Sequence, residues 1–281
     1  MEDYLKTILV LIGIFIIIPS LYSVYSSFTN TQFDTFNNRE HNNEITIIIP
    51  SVYRKEKNYI NETLSELYKQ KQSNTKLHIF IHIGDYQHNK EYEFSNSNSN
   101  SKNDISFYID DKFKRNSDVN ILKTFKDEYG DLLKTFSYDD GKNRMFWRSK
   151  QNLDYYFAIK KTLSKTNNNY ILFLEDDQKA IANWDNEIFK NINVMEKNQN
   201  ICHTKMSPLG MCAYLYNRNH MDDFANYMKE EYNKDPCDWL IKDFVEKNSL
   251  EIIHSPKYVF QHEGEVSSLV NKKQMLKVKR L

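Results

Sequence analysis

The sequence has little glycine and little proline, with 6 and 5 of these residues in 281. Fibrous and linker-rich proteins need far more of both, so the composition indicates one good-sized folded domain with at most a small appendage. An excess of charge is also lacking, because 38 Lys and Arg residues balance 38 Asp and Glu residues. Without a long-range positive field, nucleic-acid binding has little support, and we expect no nucleic-acid partner.

Cysteine is scarce as well. Cys202, Cys212 and Cys237 form no C-x-x-C motif, which argues against a structural zinc site. They allow at most one internal disulfide bond. The sequence leaves open which pair would form it and whether any pair does.

A long apolar segment opens the chain, where no charged residue occurs between residues 7 and 33. It is long enough to cross a hydrocarbon layer of about 30 Å. We therefore predict a signal-anchor transmembrane helix over residues 7–28 behind a short cytoplasmic tail, residues 1–6. A signal peptide cleaved near Ser26 is the alternative. Residues 29–43 are polar and aperiodic, as in a stem, and the folded domain is expected over residues 44–281.

The start of this domain has the pattern of a β-α-β unit. A β-branched run at residues 45–49 and an apolar run at residues 76–83 predict two strands, with an amphipathic helix between them. The right-handed crossover makes the strands parallel, so a ligand would bind beyond their ends. Arg54 and Asp85 follow those ends and would line the crevice, although a solvated surface role is the alternative for Arg54.

Less regular segments give three further predictions. Residues 105–109 alternate like a strand, residues 119–129 have helical spacing, and the Asp-Asp-Gly at residues 139–141 is typical of a turn. An N-glycosylation sequon at Asn61 lies inside a predicted helix, which leaves its occupancy open.

Three consecutive acids, Glu175, Asp176 and Asp177, end an apolar strand predicted over residues 170–174. A helix predicted over residues 149–165 precedes that strand. Adjacent carboxylates repel one another, so we expect a bound cation or cationic side chains beside them. Oxygen ligands suit Mg²⁺ or Mn²⁺, which also bind phosphate oxygens of a substrate. From the motif alone, a solvated strand end or a helix cap is an equal alternative.

Four sequence blocks extend this interpretation. They are Ile-Pro-Ser-Val with Arg at residues 49–54, Trp-Arg-Ser-Lys at 147–150 with Leu-Glu-Asp-Asp at 174–177, Asp-Pro-Cys-Asp-Trp-Leu at 235–240, and Phe-Gln-His-x-Gly with Ser-Ser-Leu at 260–269. Their types and order resemble the N-acetylglucosaminyltransferase IV family, glycosyltransferase family 54, from about residue 45 to about residue 273. Well-known members continue into a carbohydrate-binding domain, whereas we expect the core transferase domain alone here.

The resemblance implies an α/β fold of the GT-A type, a Rossmann-like mixed sheet flanked by helices. It implies an inverting, metal-dependent enzyme that moves N-acetylglucosamine from UDP-GlcNAc to a mannose of a glycoprotein N-glycan in a β1,4 linkage. It also implies a single-pass type II protein of the Golgi membrane with a lumenal catalytic domain. Two alternatives stay open: another UDP-sugar or acceptor, such as a glycolipid anchor, or a non-catalytic relative that binds glycans.

The resemblance also implies that residues 175–177 are the metal and donor motif. Within this motif we assign Asp177 to direct binding of Mn²⁺ or Mg²⁺, and Glu175 to the metal shell or the donor ribose. His262 follows a strand predicted over residues 258–260 and would complete the shell, with a merely hydrogen-bonded imidazole as the alternative. Asp176 belongs to the same donor motif, although an extended backbone would turn it the other way, as a structural cap. Further candidates for donor binding are Ser51, Arg54, Asp85, Arg148 and Lys150.

An inverting transfer needs a general base near the acceptor hydroxyl, and Asp238 is our candidate. The alternative for Asp238 is an acid at a helix start, stabilised by the helix dipole. Trp239 precedes Leu240 and Ile241, which predicts a core position, with stacking on a sugar face as the alternative.

Overall fold

The computed structural model describes residues 43–54, 57–84, 106–133 and 140–264. The chain divides into two units, Met1–Asn43 and Glu44–Leu281, and the described elements all belong to the second. Across the described ranges no helix combines the length and the apolar character needed to cross a membrane. The predicted tail and anchor helix over residues 1–28 and the candidate donor residue Asp85 lie outside the described residues.

The strands of the described part are short to medium in length. They are β1 (Glu44–Ser51), β2 (Lys76–Gly84), β3 (Val119–Thr124), β4 (Tyr170–Leu174), β5 (Gln178–Ala180), β6 (Ile201–Lys205), β7 (Ala213–Asn217), β8 (Glu251–His254) and β9 (Phe260–His262). Seven of them form one sheet in the order β3-β2-β1-β4-β7-β6-β8, and β5 and β9 form a separate pair.

The large sheet is mostly parallel around its centre. β1 runs parallel to both β2 and β4, and β3 runs parallel to β2. β7 is antiparallel to β4 and β6, and β8 is parallel to β6. The parallel pairing of β1 and β2 confirms the predicted β-α-β unit. One edge of the sheet, called the carboxyl edge below, therefore carries the ends of β1, β2 and β4 together with the start of β7.

Helices connect these strands. They are α1 (Ile60–Gln70), α2 (Asp111–Lys114), α3 (Lys126–Tyr129), α4 (Asp140–Leu163), α5 (Trp184–Lys197), α6 (Arg218–Glu231) and α7 (Cys237–Lys247), with one 3₁₀ turn at Gly130–Leu133.

Strand β4 shows why the sheet is buried on both faces. Leu172 and Leu174 pack into the core that includes residues of α1 and α5. Ile171 and Phe173 point to the opposite face and pack with residues of α4, α6 and α7. Successive side chains of a strand alternate between faces, so a strand covered on both sides must be apolar throughout. This layering fixes β4 rigidly behind the acids that follow it.

Two predictions in the irregular part are wrong. Residues 119–124 form β3 rather than a helix, because their backbone pairs with β2 while Val119 and Leu122 are buried. Residues 106–109 form a turn, in which the Ile109 N–H donates to the Ser106 carbonyl at 2.9 Å. The side-chain amide of Asn61 holds this turn by donating to the Tyr108 carbonyl at 3.0 Å. The amide nitrogen of the sequon is thus engaged in the fold.

Two boundaries also differ from the predicted ones. Helix α4 begins at Asp140, inside the predicted turn. The last strand spans Phe260–His262 rather than residues 258–260, because these residues pair with β5. His262 is therefore part of a strand and does not follow one.

Candidate functional site

Two backbone pairings assemble the candidate site at the carboxyl edge. The Glu175 N–H donates to the Cys212 carbonyl at 2.9 Å, which continues the pairing of β4 with β7. On the other side, the Glu263 N–H donates to the Asp177 carbonyl at 2.9 Å, and β9 pairs with β5. As a result, a residue near the end of the described chain, His262, lies against the acids that follow β4.

Asp177 is surrounded by groups that stabilise its charge. The His262 Nε2 lies 3.2 Å from the Asp177 Oδ2, and the Arg54 Nη2 lies 3.8 Å from the same oxygen. The Gln178 side-chain amide donates to the Asp177 Oδ1 at 3.2 Å. Asp177 is only 7% exposed, so an unpaired carboxylate there would be costly. The structure thus brings together two of the predicted metal ligands, Asp177 and His262.

Glu175, the third predicted ligand, lies beside this pair. The Tyr155 hydroxyl donates to the Glu175 Oε1 at 3.0 Å. One oxygen of Glu175, the Cys212 sulfur and one ring nitrogen of His262 all lie within 4.8 Å of one another. Sequence reasoning missed Cys212 and Tyr155, because neither follows the apolar strand that marked the acids.

The pKa values reflect this crowding. Burial raises the pKa of Glu175, and the charge of Asp177 raises it further. Burial also opposes ionisation of Asp177, but the hydrogen bond and charge of His262, followed by the charge of Arg54, outweigh it and lower the Asp177 pKa. For His262 burial opposes protonation, whereas the hydrogen bond to Asp177 and the charges of both acids raise its pKa. The cluster therefore favours a positive charge between the two acids.

The donor set fits a divalent transition-metal ion. Two carboxylates and an imidazole are suitable ligands for Mn²⁺, and the imidazole is less suited to Mg²⁺. The His262 Nδ1 is buried and has no hydrogen-bond partner among the described residues. A ring nitrogen in that state is available to bind a metal ion or to be bonded by a ligand. Asp177, Glu175 and His262 are the residues that would hold the ion.

Asp176, between the two outer acids, points into the protein. Its Oδ1 lies 2.8 Å from the Arg54 Nη2, and its Oδ2 lies 2.9 Å from the Arg54 Nη1. The Ser51 hydroxyl donates to the Oδ2 at 2.8 Å. Arg54 and Ser51 are 5% and 2% exposed. The side chains of Asp176, Arg54 and Ser51 therefore bond one another inside the fold. The Thr63 hydroxyl lies 2.8 Å from the Asp176 carbonyl and secures the same backbone.

Lys150 and Arg148, both candidates for donor binding, lie on α4. Lys150 is 1% exposed, and its Nζ lies 2.9 and 2.7 Å from the two oxygens of Asp154. Within the described residues no ion pair joins Lys150 to Glu175 or Asp177. Arg148, two positions earlier, is half-buried. The structure thus holds Lys150 in an internal ion pair rather than with the acids after β4.

Asp238 and Trp239 stand at the start of α7, next to the cluster. Cys237, the first residue of α7, interacts electrostatically with Glu175 and with Asp238. Asp238 is half-buried and also interacts with Lys205 at the end of β6. Trp239 is 61% exposed, so the predicted core position is wrong. In the first turn of α7 the buried face is taken by Cys237 and Leu240, which leaves the indole in solvent.

Gly264 closes the cluster from the C-terminal side. A Cβ at this position would lie 2.3 Å from the Asp177 Oδ2 and 2.9 Å from the His262 Nε2. No side chain fits there unless the two ligands move apart. A glycine two residues after a candidate ligand, in a chain with 6 glycines in all, is the signal that could have marked it.

The fold and the site define the class of the protein. It is an α/β protein with a mostly parallel sheet and a carboxylate–imidazole cluster beyond the strand ends, where such sheets bind ligands. A family model described as the MGAT4 conserved region matches residues 18–281. The chain therefore belongs to the MGAT4 family, and the resemblance to the N-acetylglucosaminyltransferase IV family is confirmed.

Individual relatives match over most of the chain. The chain is 28% identical over 243 residues to alpha-1,3-mannosyl-glycoprotein 4-beta-N-acetylglucosaminyltransferase C of Macaca fascicularis, which covers 83% of this chain and 47% of the relative. Transferase B of Danio rerio is 26% identical over 257 residues, or 84% of this chain and 44% of the relative. Transferase A of Xenopus tropicalis is 28% identical over 244 residues, or 81% and 44%. The chain spans about half the length of the curated relatives it matches.

Proposed function

We propose that this chain is a glycosyltransferase of the GT-A type that moves N-acetylglucosamine from UDP-GlcNAc to a mannose of a glycoprotein N-glycan and forms a β1,4 branch. The observation that carries the proposal is the pairing of Asp177 with His262 beside Glu175 at the carboxyl edge. Relatives whose names describe this transfer support the choice of sugar and acceptor. Inversion at the sugar carbon is part of the proposal.

The departing group of such a reaction is a nucleoside diphosphate, on which negative charge accumulates. A divalent ion, Mn²⁺ or Mg²⁺, stabilises that charge when it is bound. Asp177 and His262 would hold the ion, and Glu175 would complete its shell or contact the donor ribose. The buried carboxylates of Glu175 and Asp177 repel each other. A cation bound between them would stabilise both charges, which supports a metal-binding role for this pair.

Asp176 would act on this site indirectly. Its ion pair with Arg54 and its hydrogen bond with Ser51 join the end of β1 to the acids after β4. The positions of Asp177 and Glu175 are therefore fixed before any ligand arrives. Such preorganisation avoids a reorganisation cost during the reaction.

Asp238 is the proposed general base, which takes the proton from the attacking hydroxyl of the acceptor. Its place in the first turn of α7, one residue after the buried Cys237, supports this role. A base must reach the acceptor from the side opposite the leaving group. The exposed indole of Trp239 would offer the acceptor sugar a flat apolar surface beside that base.

A transfer assay tests the proposal. The purified full chain is incubated with a panel of labelled UDP-sugars and a free N-glycan mixture. We expect labelled glycan from UDP-GlcNAc, loss of transfer with EDTA, and recovery on adding Mn²⁺. Asp177→Asn should abolish recovery, while Asp235→Asn, at an exposed position before α7, should behave like the parent chain. Transfer that persists in EDTA would refute the metal requirement, and transfer from another UDP-sugar alone would refute the donor.

The location is proposed separately. We propose a type II protein of the Golgi membrane with its catalytic domain in the lumen. The apolar segment over residues 7–28 supports a membrane anchor, and the family resemblance supports the Golgi location. Protease added to sealed Golgi vesicles should leave residues 44–281 intact and digest them once detergent is added. Digestion without detergent would place the domain on the cytoplasmic side.

A further inference from the structure

Cys212 lies in the candidate site, although neither the sequence pattern nor the proposed reaction uses it. It directly precedes β7, and its carbonyl accepts the N–H of Glu175 at 2.9 Å. The next pair along the two strands is Leu174 with Ala213. This register brings the Cys212 sulfur within 4.8 Å of a Glu175 carboxylate oxygen. The thiol is 8% exposed, so it faces the cluster and not the solvent.

The three donor atoms lie close enough to converge on one metal ion. The Cys212 sulfur, a Glu175 oxygen and a His262 ring nitrogen are all within 4.8 Å of one another. Three ligands bound tetrahedrally at about 2.0–2.3 Å lie about 3.3–3.8 Å apart. Side-chain movements of up to about 1 Å would therefore bring the three atoms to bonding distance, on elements that β4–β7 and β5–β9 pairing already fix.

We propose that Cys212 is a ligand of this cation site, together with Glu175 and His262, and that the site binds Zn²⁺, Co²⁺ and Cd²⁺ in preference to Mg²⁺. Thiolate and imidazole are ligands of borderline and soft ions, whereas Mg²⁺ requires oxygen ligands. The thiol releases its proton to solvent when the sulfur binds the ion. The inference rests on the cation site of the proposed function and not on the transfer reaction.

Cobalt spectroscopy tests this proposal on the full chain. A thiolate bound to Co²⁺ gives a charge-transfer band in the near ultraviolet that oxygen and nitrogen ligands do not give. We expect this band when Co²⁺ is added to the chain alone or with UDP. We also expect Zn²⁺ to remove it at far lower concentration than Mg²⁺. A bound Co²⁺ without the band, or no Co²⁺ binding with or without UDP, would overturn the proposal.

Substitutions assign the band to one sulfur. Cys212→Ser should remove the band and weaken Co²⁺ binding by at least about tenfold. Cys202→Ser and Cys237→Ser are matched controls at buried free cysteines outside the three-ligand group, and both should keep the band. If Cys212→Ser fails to fold, the band in the two controls and its change in His262→Gln still identify Cys212 by elimination. A band that survives in folded Cys212→Ser would refute the assignment.

The outcomes separate this proposal from the proposed function. Sugar transfer supported by Mn²⁺ without a thiolate band would leave the function intact and refute the role of Cys212. A thiolate band without transfer from any donor would leave the metal site intact and refute the function.

Discussion

Arg54 and Asp176 form a two-pronged ion pair across 122 residues of sequence, with both nitrogen–oxygen distances below 3.0 Å. Arg54 lies three residues after the end of β1, and Asp176 lies in the middle of the acids after β4. Both side chains are almost fully buried. Because a guanidinium can bond both oxygens of one carboxylate, the pair fixes orientation as well as distance. It joins two neighbouring parallel strands at the point where the candidate site begins.

Replacing Asp176 should therefore lower the stability of the fold. Asp176→Asn leaves the buried Arg54 guanidinium with only the more distant Asp177 as a counter-ion, and we expect a loss of about 3 kcal/mol in the free energy of unfolding. Urea denaturation followed by circular dichroism measures this loss. Asp235→Asn is the control at an exposed carboxylate and should change the free energy by less than about 0.5 kcal/mol. Equal unfolding midpoints for the two variants would contradict the structural role of Asp176.

Gly264→Ala should disrupt the cation site directly. The new methyl group would meet the Asp177 Oδ2 at 2.3 Å and push Asp177 and His262 apart. We expect at least about tenfold weaker binding of Mn²⁺ in isothermal titration calorimetry. Gly130→Ala controls for stability, since Gly130 has a φ of 54° and no heavy atom within 4 Å of an added Cβ. The control should unfold more easily yet bind Mn²⁺ like the parent chain, and unchanged binding in Gly264→Ala would be inconsistent with this geometry.

Asp238→Asn separates catalysis from donor binding. An amide cannot accept the acceptor proton, so kcat should fall by about 10²–10⁴-fold while the Kd for UDP-GlcNAc stays within about twofold. Steady-state transfer and calorimetry with the donor measure the two quantities. Asp235→Asn again serves as the control, three positions earlier and outside α7. An Asp238→Asn protein with parental kcat would exclude this residue as the base.

Trp239→Ala should weaken binding of the acceptor glycan and leave binding of the donor unchanged. The exposed indole is lost without opening a cavity, so we expect an unchanged unfolding midpoint and a rise of about tenfold in the KM for the glycan, a change of about 1.4 kcal/mol. Phe125→Ala removes another exposed aromatic ring, 50% exposed beyond β3, and should leave both KM values unchanged. A parental glycan KM in Trp239→Ala would remove the stacking role.

His203 makes stability depend on pH. The ring is fully buried against Tyr214, with centroids 4.3 Å apart, and neither nitrogen has a hydrogen-bond partner among the described residues. Burial, and then the charges of Lys205 and His254, lower its pKa to about 3. The unfolded chain binds this proton below about pH 6.5, so the folded state loses up to about 1.4 kcal/mol per pH unit between about pH 6.5 and 3.

The variant His203→Phe keeps an aromatic ring against Tyr214 and removes the titration. The free energy of unfolding, measured by urea denaturation between pH 7 and 4, should therefore fall less steeply in the variant. The difference in slope should be up to about 1.4 kcal/mol per pH unit. Identical slopes in the two proteins would show that folding leaves the pKa of His203 unchanged and would contradict this prediction.

Local sequence patterns were sufficient to predict the strands and the helix that form the centre of the sheet. β1, α1, β2 and β4 have strong apolar runs or periodicity, because each is buried on a wide face. Spacing failed at β3, where Val119 and Leu122 are three apart and fit a helix as well as a strand. There the pairing partner decided the outcome, and a partner strand is not a property of the segment itself.

The same limit applies to the site. The acids at residues 175–177 stand next to a recognisable strand, so they were visible in the sequence. Cys212 joins them only because β7 pairs antiparallel with β4, and Tyr155 only because α4 packs on that face. The exposure of Trp239 follows from which face of α7 meets the sheet. Each of these facts depends on contacts between segments that are far apart in the chain.

The small β5–β9 pair has a consequence for the order in which the protein matures. Every strand of the large sheet is complete once the ribosome has made His254, yet the imidazole partner of Asp177 is still missing. The three residue pairs of β5 and β9, with neighbouring backbone hydrogen bonds such as that of Glu263 to Asp177, then bring the later segment back to the acids. During synthesis the scaffold can thus form first, and the proposed cation site is completed last, when Phe260–His262 folds onto it.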